Sequence, residues 1–141
     1  MMKLLLMLPV LAGILFFEQD SNSITLTITN VKYEQGVVRV LLFKGDAGFP
    51  DDPDKAFRSA SVKISGNRAT VSFDNIPTGV YALSVFHDSQ NTGKLRTNAF
   101  GIPRDGYGFS NNAMGTFGPP SFEKAAFIIT AGKNNVSINL R

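Results

Sequence analysis

Val80-Tyr81-Ala82-Leu83-Ser84-Val85-Phe86-His87 is the stretch whose reading decides the fold. Tyr81, Leu83, Val85 and His87 fall at every second position, so an extended chain puts them on one face. The run is rich in β-branched and aromatic residues and lacks the three-to-four spacing of an amphipathic helix. It predicts a strand with a buried face. Working upstream, Asp74 to Gly79 reads as a tight connection, and Ala69, Val71 and Phe73 alternate before it. Ala60, Val62 and Ile64 alternate earlier still. Gly66-Asn67 lies between these two runs and predicts a hairpin. Val37 to Phe43 is apolar on both faces apart from Arg39, which predicts a central strand. Ile24, Leu26 and Ile28 alternate with threonines, and the turn Tyr33-Glu34-Gln35-Gly36 joins that strand to the central one as a second hairpin. Downstream, Ala125 to Thr130 and Val136 to Leu140 form a last pair around Gly132 to Asn135.

These runs amount to about seven short strands with turn signals between them, the pattern of an all-β sandwich. Asp52-Pro53-Asp54-Lys55 is the one helical start. Asp52 can cap free N–H groups, Pro53 suits the first helical position, and the turn would drop Phe57 onto the core edge.

The 141 residues suffice for a single core and not for two. With 43% hydrophobic and 18% charged residues the chain is globular rather than disordered. Its net charge of +3 is spread without a Lys/Arg block, which argues against nucleic acid as a partner. The absence of cysteine removes disulfides, a thiol nucleophile and a thiolate zinc site. A lone histidine, His87, rules out a multi-histidine metal centre within the chain. Met1-Met2-Lys3 and the apolar run Leu4 to Phe17 follow the grammar of a signal peptide. The expectation is a leader over 1–20, a single domain over 21–141, and a periplasmic or secreted product. The rival readings are an N-terminal strand and an uncleaved anchor, which would be the one route to a membrane.

The rhythm of strands breaks between His87 and Phe122. The segment holds six glycines, three prolines and Phe100, Tyr107, Phe109, Phe117 and Phe122. Compact domains carry few loops longer than ~12–15 residues. Disordered segments are poor in aromatics, so this is expected to be one long ordered loop that carries whatever is specific to the protein.

From His87 to Phe127 the sequence is HDSQNTGKLRTNAFGIPRDGYGFSNNAMGTFGPPSFEKAAF, preceded by IPTGVYALSVFHD. GYGFSNN followed by GPPSF resembles the signature of a bacterial family, domain of unknown function 2141. The likeness runs from about Ile24 to the C-terminus. It implies an exported immunoglobulin-like or prealbumin-like β-sandwich and no particular activity. The family's loop after His-Asp is similar to a calcium loop, D-x-N-x-N-G-K-x-D. Here those positions hold Asp88, Gln90, Thr92, Gly93 and Arg96. A guanidinium in place of the second carboxylate opposes a divalent cation and suits an internal pair with Asp88 instead. No cofactor or metal is therefore expected, with calcium disfavoured by Arg96.

Other residues invite a chemical reading. His87 and Asp88 suggest a hydrolase-type site, but adjacent strand residues point to opposite faces and no nucleophile elbow surrounds Ser110 or Ser121. His87 is expected instead to bond a backbone group and pin the long loop. Asp46, Asp51, Asp52 and Asp54 are explained by capping and solvation. Ser110, Asn111 and Asn112, flanked by Tyr107, Phe109 and Phe117, combine amides with flat rings, a pairing that holds sugars and peptides. The leading expectation is a non-catalytic exported or envelope-associated module that binds a glycan or peptide through His87, Asp88, Arg96, Tyr107, Phe109, Ser110, Asn111 and Asn112. The alternatives are a hydrolase using His87 and Asp88, and a purely structural domain whose loop completes the fold.

Overall fold

The computed structural model describes residues 12–16 and 21–141. The expected leader, with all but 12–16 of its length, lies outside the described residues. The remainder is a sandwich of two sheets. One has three strands in the order β4-β1-β8; the other follows β3-β2-β5-β6, with β7 also paired to β5. The strands are β1 (Ser23–Thr29), β2 (Val37–Phe43), β3 (Arg58–Val62), β4 (Ala69–Phe73), β5 (Gly79–Asp88), β6 (Tyr107–Phe109), β7 (Phe127–Ile129) and β8 (Lys133–Asn139).

The alternation in the sequence decides what each strand buries. Ile24, Leu26 and Ile28 of β1 and Ile138 of β8, from one sheet, share a core cluster with Val38, Val40 and Leu42 of β2 and Tyr81, Leu83 and Val85 of β5, from the other. Full burial of an aliphatic side chain contributes about 1.5–3 kcal/mol, so this interface between the sheets dominates stability. A smaller cluster lies on the other face of β5, where Ala82, Phe109 and Ala125 are buried among Phe49, Tyr107, Ala113 and Phe122. β2 is central, between β3 and β5. A 3-10 turn at Pro53–Lys55 has Asp52 as its cap, whose carboxylate accepts from the Asp54 N–H, and Phe57 packs against the core.

The neighbours of the strands differ from expectation. Three runs that read as hairpins are crossings between sheets. β1 and β2 lie in opposite sheets, as do β3 and β4, and β7 and β8. Around Gly66-Asn67 a single bridge, Ser65 to Arg68, is all that forms. Alternation states which face of a strand is buried, and both sheets of a sandwich bury a face in the same core. The strand count rises to eight because Tyr107–Phe109, inside the expected loop, adds to β5 as β6. The last strand pair is also shorter at its start. Ser121 caps a helical turn, α1 (Phe122–Ala125), and β7 begins only at Phe127.

β8 runs parallel to β1 over Ser23–Lys133 to Thr29–Asn139. Ser23 N–H donates to the Gly132 carbonyl and Leu140 N–H to that of Thr29. In a parallel ladder the residues of a strand turn their backbone groups alternately toward and away from the partner. Even-numbered residues of β8 therefore bond β1, while Asn135, Ser137 and Asn139 present N–H and C=O groups on the outer edge.

Candidate functional site

β5 ends at His87-Asp88, where the long segment begins. The two side chains diverge. The His87 ring is buried, its Nε2 lies 2.6 Å from the Gln35 carbonyl, and the Tyr33 ring packs against it at 4.8 Å between centroids. The histidine thus bonds a backbone group, as expected, but that group belongs to the turn between β1 and β2. It is the His87 backbone N–H that reaches the segment, at the Gly106 carbonyl, 2.8 Å.

Asp88 faces the other way. Its carboxylate accepts from Arg39 Nε at 2.8 Å, the Thr92 N–H at 2.9 Å and the Gly93 N–H at 2.7 Å. Burial pushes this carboxyl up, and the bonds from Arg39, Gly93 and Thr92 outweigh burial and hold it below the ordinary carboxylate range. Arg39 continues to Ser61 and Asn91. Gly36 makes the close approach possible: at φ +75° it lies so near the Asp88 backbone that a Cβ would overlap the carbonyl oxygen.

Arg96 takes a different partner from the one the sequence suggested. Its Nε and Nη2 donate to Asp105 in a two-pronged pair, both at 2.8 Å. Asp105 is buried and also accepts from the Tyr33 hydroxyl at 2.5 Å and Ser89 Oγ at 2.8 Å. The Arg96 bonds lead in holding the Asp105 carboxyl far below its usual range, against burial, with Tyr33 and Ser89 adding to them. The same pairing raises the Arg96 guanidinium. Two ion pairs thus secure this stretch, Asp88 with Arg39 and Asp105 with Arg96. Among the described residues no three His, Cys, Asp or Glu side chains converge as a metal site would require.

The remaining expected residues gather elsewhere. Tyr107 and Phe109 sit on β6 opposite Phe86 and Ser84. Gly108 between them lies against β8, where a Cβ would come within 2.7 Å of Ile138 Cγ2. Ser110 is buried; its hydroxyl donates to the Ala125 carbonyl at 2.5 Å and accepts from the Leu83 N–H at 2.9 Å. The Asn112 side chain accepts from the Asn139 N–H at 3.0 Å, covering one outward position of β8. Asn111 adopts a left-handed φ of 61° and donates to the Lys124 and Ala126 carbonyls. So His87, Asp88 and Arg96 form the base of the segment, and Tyr107 to Asn112 fasten its return to β5 and β8. Phe117 stands fully exposed and joins neither group.

Asn111 alone of these residues lines an open groove of about 590 Å³. Phe127 and Ile128 form one wall, and Lys133 to Ser137 the other. The groove runs along the outer edge of β8, where Asn135 and Ser137 turn their backbone groups away from β1. Ile128 is exposed there, beside Val80 on β5. Sequence reading missed this place, because its walls come from two strands in different sheets. It also missed Arg39, although a lone arginine in an apolar strand was the available signal.

No curated protein sequence matches the chain. A family model does, over residues 26–138, from within β1 to within β8, and it covers the sandwich together with its long segment. The chain therefore belongs to the bacterial family described as "Uncharacterized protein conserved in bacteria (DUF2141)".

Proposed function

We propose that the protein is a non-catalytic, exported or envelope-associated binding module. Its partner is an extended chain, a peptide or glycan, held in the groove between β7 and β8 beneath Asn111. The open backbone edge at Asn135 and Ser137 carries this reading. An unpaired strand edge is a template for an added strand, and the apolar Ile128 and Val136 beside it offer side-chain contacts. This favours a peptide, which can continue the ladder with its own N–H and C=O groups. The buried state of His87, with Nε2 committed to Gln35, supports the non-catalytic side of the proposal.

The test is a peptide and glycan array probed with wild type, Ser137→Pro and Asn111→Ala. Proline at position 137 removes an outward N–H and leaves the bonds to β1 in place, as edge strands tolerate. Wild type should bind extended peptides and Ser137→Pro should lose them with little change in melting temperature. Binding that survives Ser137→Pro would move the site away from this edge. An array with no wild-type binder would favour the purely structural domain.

A further inference from the structure

Between the two ion pairs the segment projects a small hairpin, Lys94 to Arg104. Arg104 N–H bonds the Arg96 carbonyl at 2.8 Å, Thr97 bridges Pro103, and Asn98 N–H bonds the Ile102 carbonyl at 2.9 Å. The Asn98 side chain accepts from the N–H groups of Phe100 and Ile102, and Gly101 supplies the left-handed φ of 76° that closes the turn. This fixed tip holds two large apolar side chains in water: Phe100 is 89% and Ile102 59% exposed. The charges behind them share one sign. Lys94, Arg96 and Arg104 lie within the hairpin and no acidic residue does. Asp105 neutralises Arg96 and ties the hairpin to the domain, so Lys94 and Arg104 remain as an exposed positive collar.

We propose that this hairpin is a docking tip for an anionic lipid surface. Phe100 and Ile102 enter the interface between headgroups and acyl chains, and Lys94 and Arg104 meet the headgroup charge. Aromatic and aliphatic side chains gain by leaving water at that boundary, and each basic residue near an anionic leaflet adds about 1 kcal/mol, some fivefold in binding. A rigid tip enters without first being ordered. The tip is separate from the groove along β8, so the two proposals stand or fall independently.

The apolar N-terminal run could itself partition into lipid, so the readout must belong to the tip. The chain contains no tryptophan, and Phe100→Trp in the full chain supplies a single tryptophan there, excited selectively at the red edge of its absorption. With vesicles of phosphatidylglycerol and phosphatidylcholine its emission should shift to the blue and be quenched by brominated acyl chains. Phosphatidylcholine alone should give neither effect. Adding Lys94→Glu and Arg104→Glu should weaken the response roughly tenfold or more, and Ile102→Ser should weaken it at low and at high salt alike. All four positions are solvent-facing or at the tip, and unchanged melting temperatures would verify the fold. Sedimentation with vesicles while the tryptophan emission stays unchanged would overturn the proposal. So would an equal response to neutral vesicles, or no response at all. Ser137→Pro in the same background should leave the vesicle response intact, which separates this test from that of the groove.

Discussion

The base of the long segment and its tips obey opposite rules. At the base the buried carboxylates are fully served: Asp88 and Asp105 each gather three donor groups, and the arginines that serve them come from β2 and from the segment itself. At the tips Phe100 and Phe117 stand in water with their rings unburied. Apolar groups normally gain by burial and carboxylates by hydration, so each region places its side chains against that preference. The base shows how burial of charge is stabilised, by pairing rather than by water. At Phe100 a hydrogen-bonded hairpin holds the ring outward, with Asn98 accepting from the N–H groups of Phe100 and Ile102.

The contrast can be broken most strongly at Asp105. Asp105→Ala would leave Arg96, Tyr33 and Ser89 without their shared acceptor, and removal of one partner from a buried pair costs roughly 3–5 kcal/mol. Because Arg96 is partly exposed and can rehydrate, a loss of about 3 kcal/mol is expected in urea unfolding. An unchanged midpoint would mean that the base does not anchor the segment.

Acid sharpens the same contrast more gently. Both carboxyls have folded values below the ordinary 3.8. Their contribution is therefore complete above the unfolded value and is lost as the pH falls through the folded ones. Melting temperature should drop as the pH goes below about 4. Asp105→Asn should flatten that drop; an equally steep curve would assign the acid sensitivity to other groups. Least is expected at the tips. Phe117→Ser, at a fully exposed ring, should change stability by no more than ~0.5 kcal/mol, and a larger loss in calorimetry would show that the ring is packed.

Much of this architecture was legible in residues whose partners are implied by periodicity. Tyr81, Leu83, Val85 and His87 share a buried face because a strand alternates, whatever lies opposite. The Asp52-Pro53 turn was legible because its bonds are local. Partner choice was not. Asp88 pairs with Arg39, 49 residues earlier, because the β2–β5 register sets Val37 opposite Asp88 and Arg39 opposite Phe86, so the two lie diagonally on one face. Nothing in the spacing of Asp88 and Arg96 reveals that. The groove was hidden for the same reason: Phe127 and Asn135 are near in sequence, yet their strands belong to different sheets.

The parallel pairing of β1 with β8 has a consequence in time. Thr29 and Asn139, which bond to each other across it, are 110 residues apart. β1 is the middle strand of its sheet and carries three fully buried side chains. As the chain is synthesised β1 emerges ahead of both its neighbours, β4 and β8. Contacts so distant along the chain make for slow folding, and an unpaired apolar strand is prone to association while it waits. The domain can close its smaller sheet only once β8 has been made, so its cooperative folding unit is the whole sandwich rather than any growing part of it.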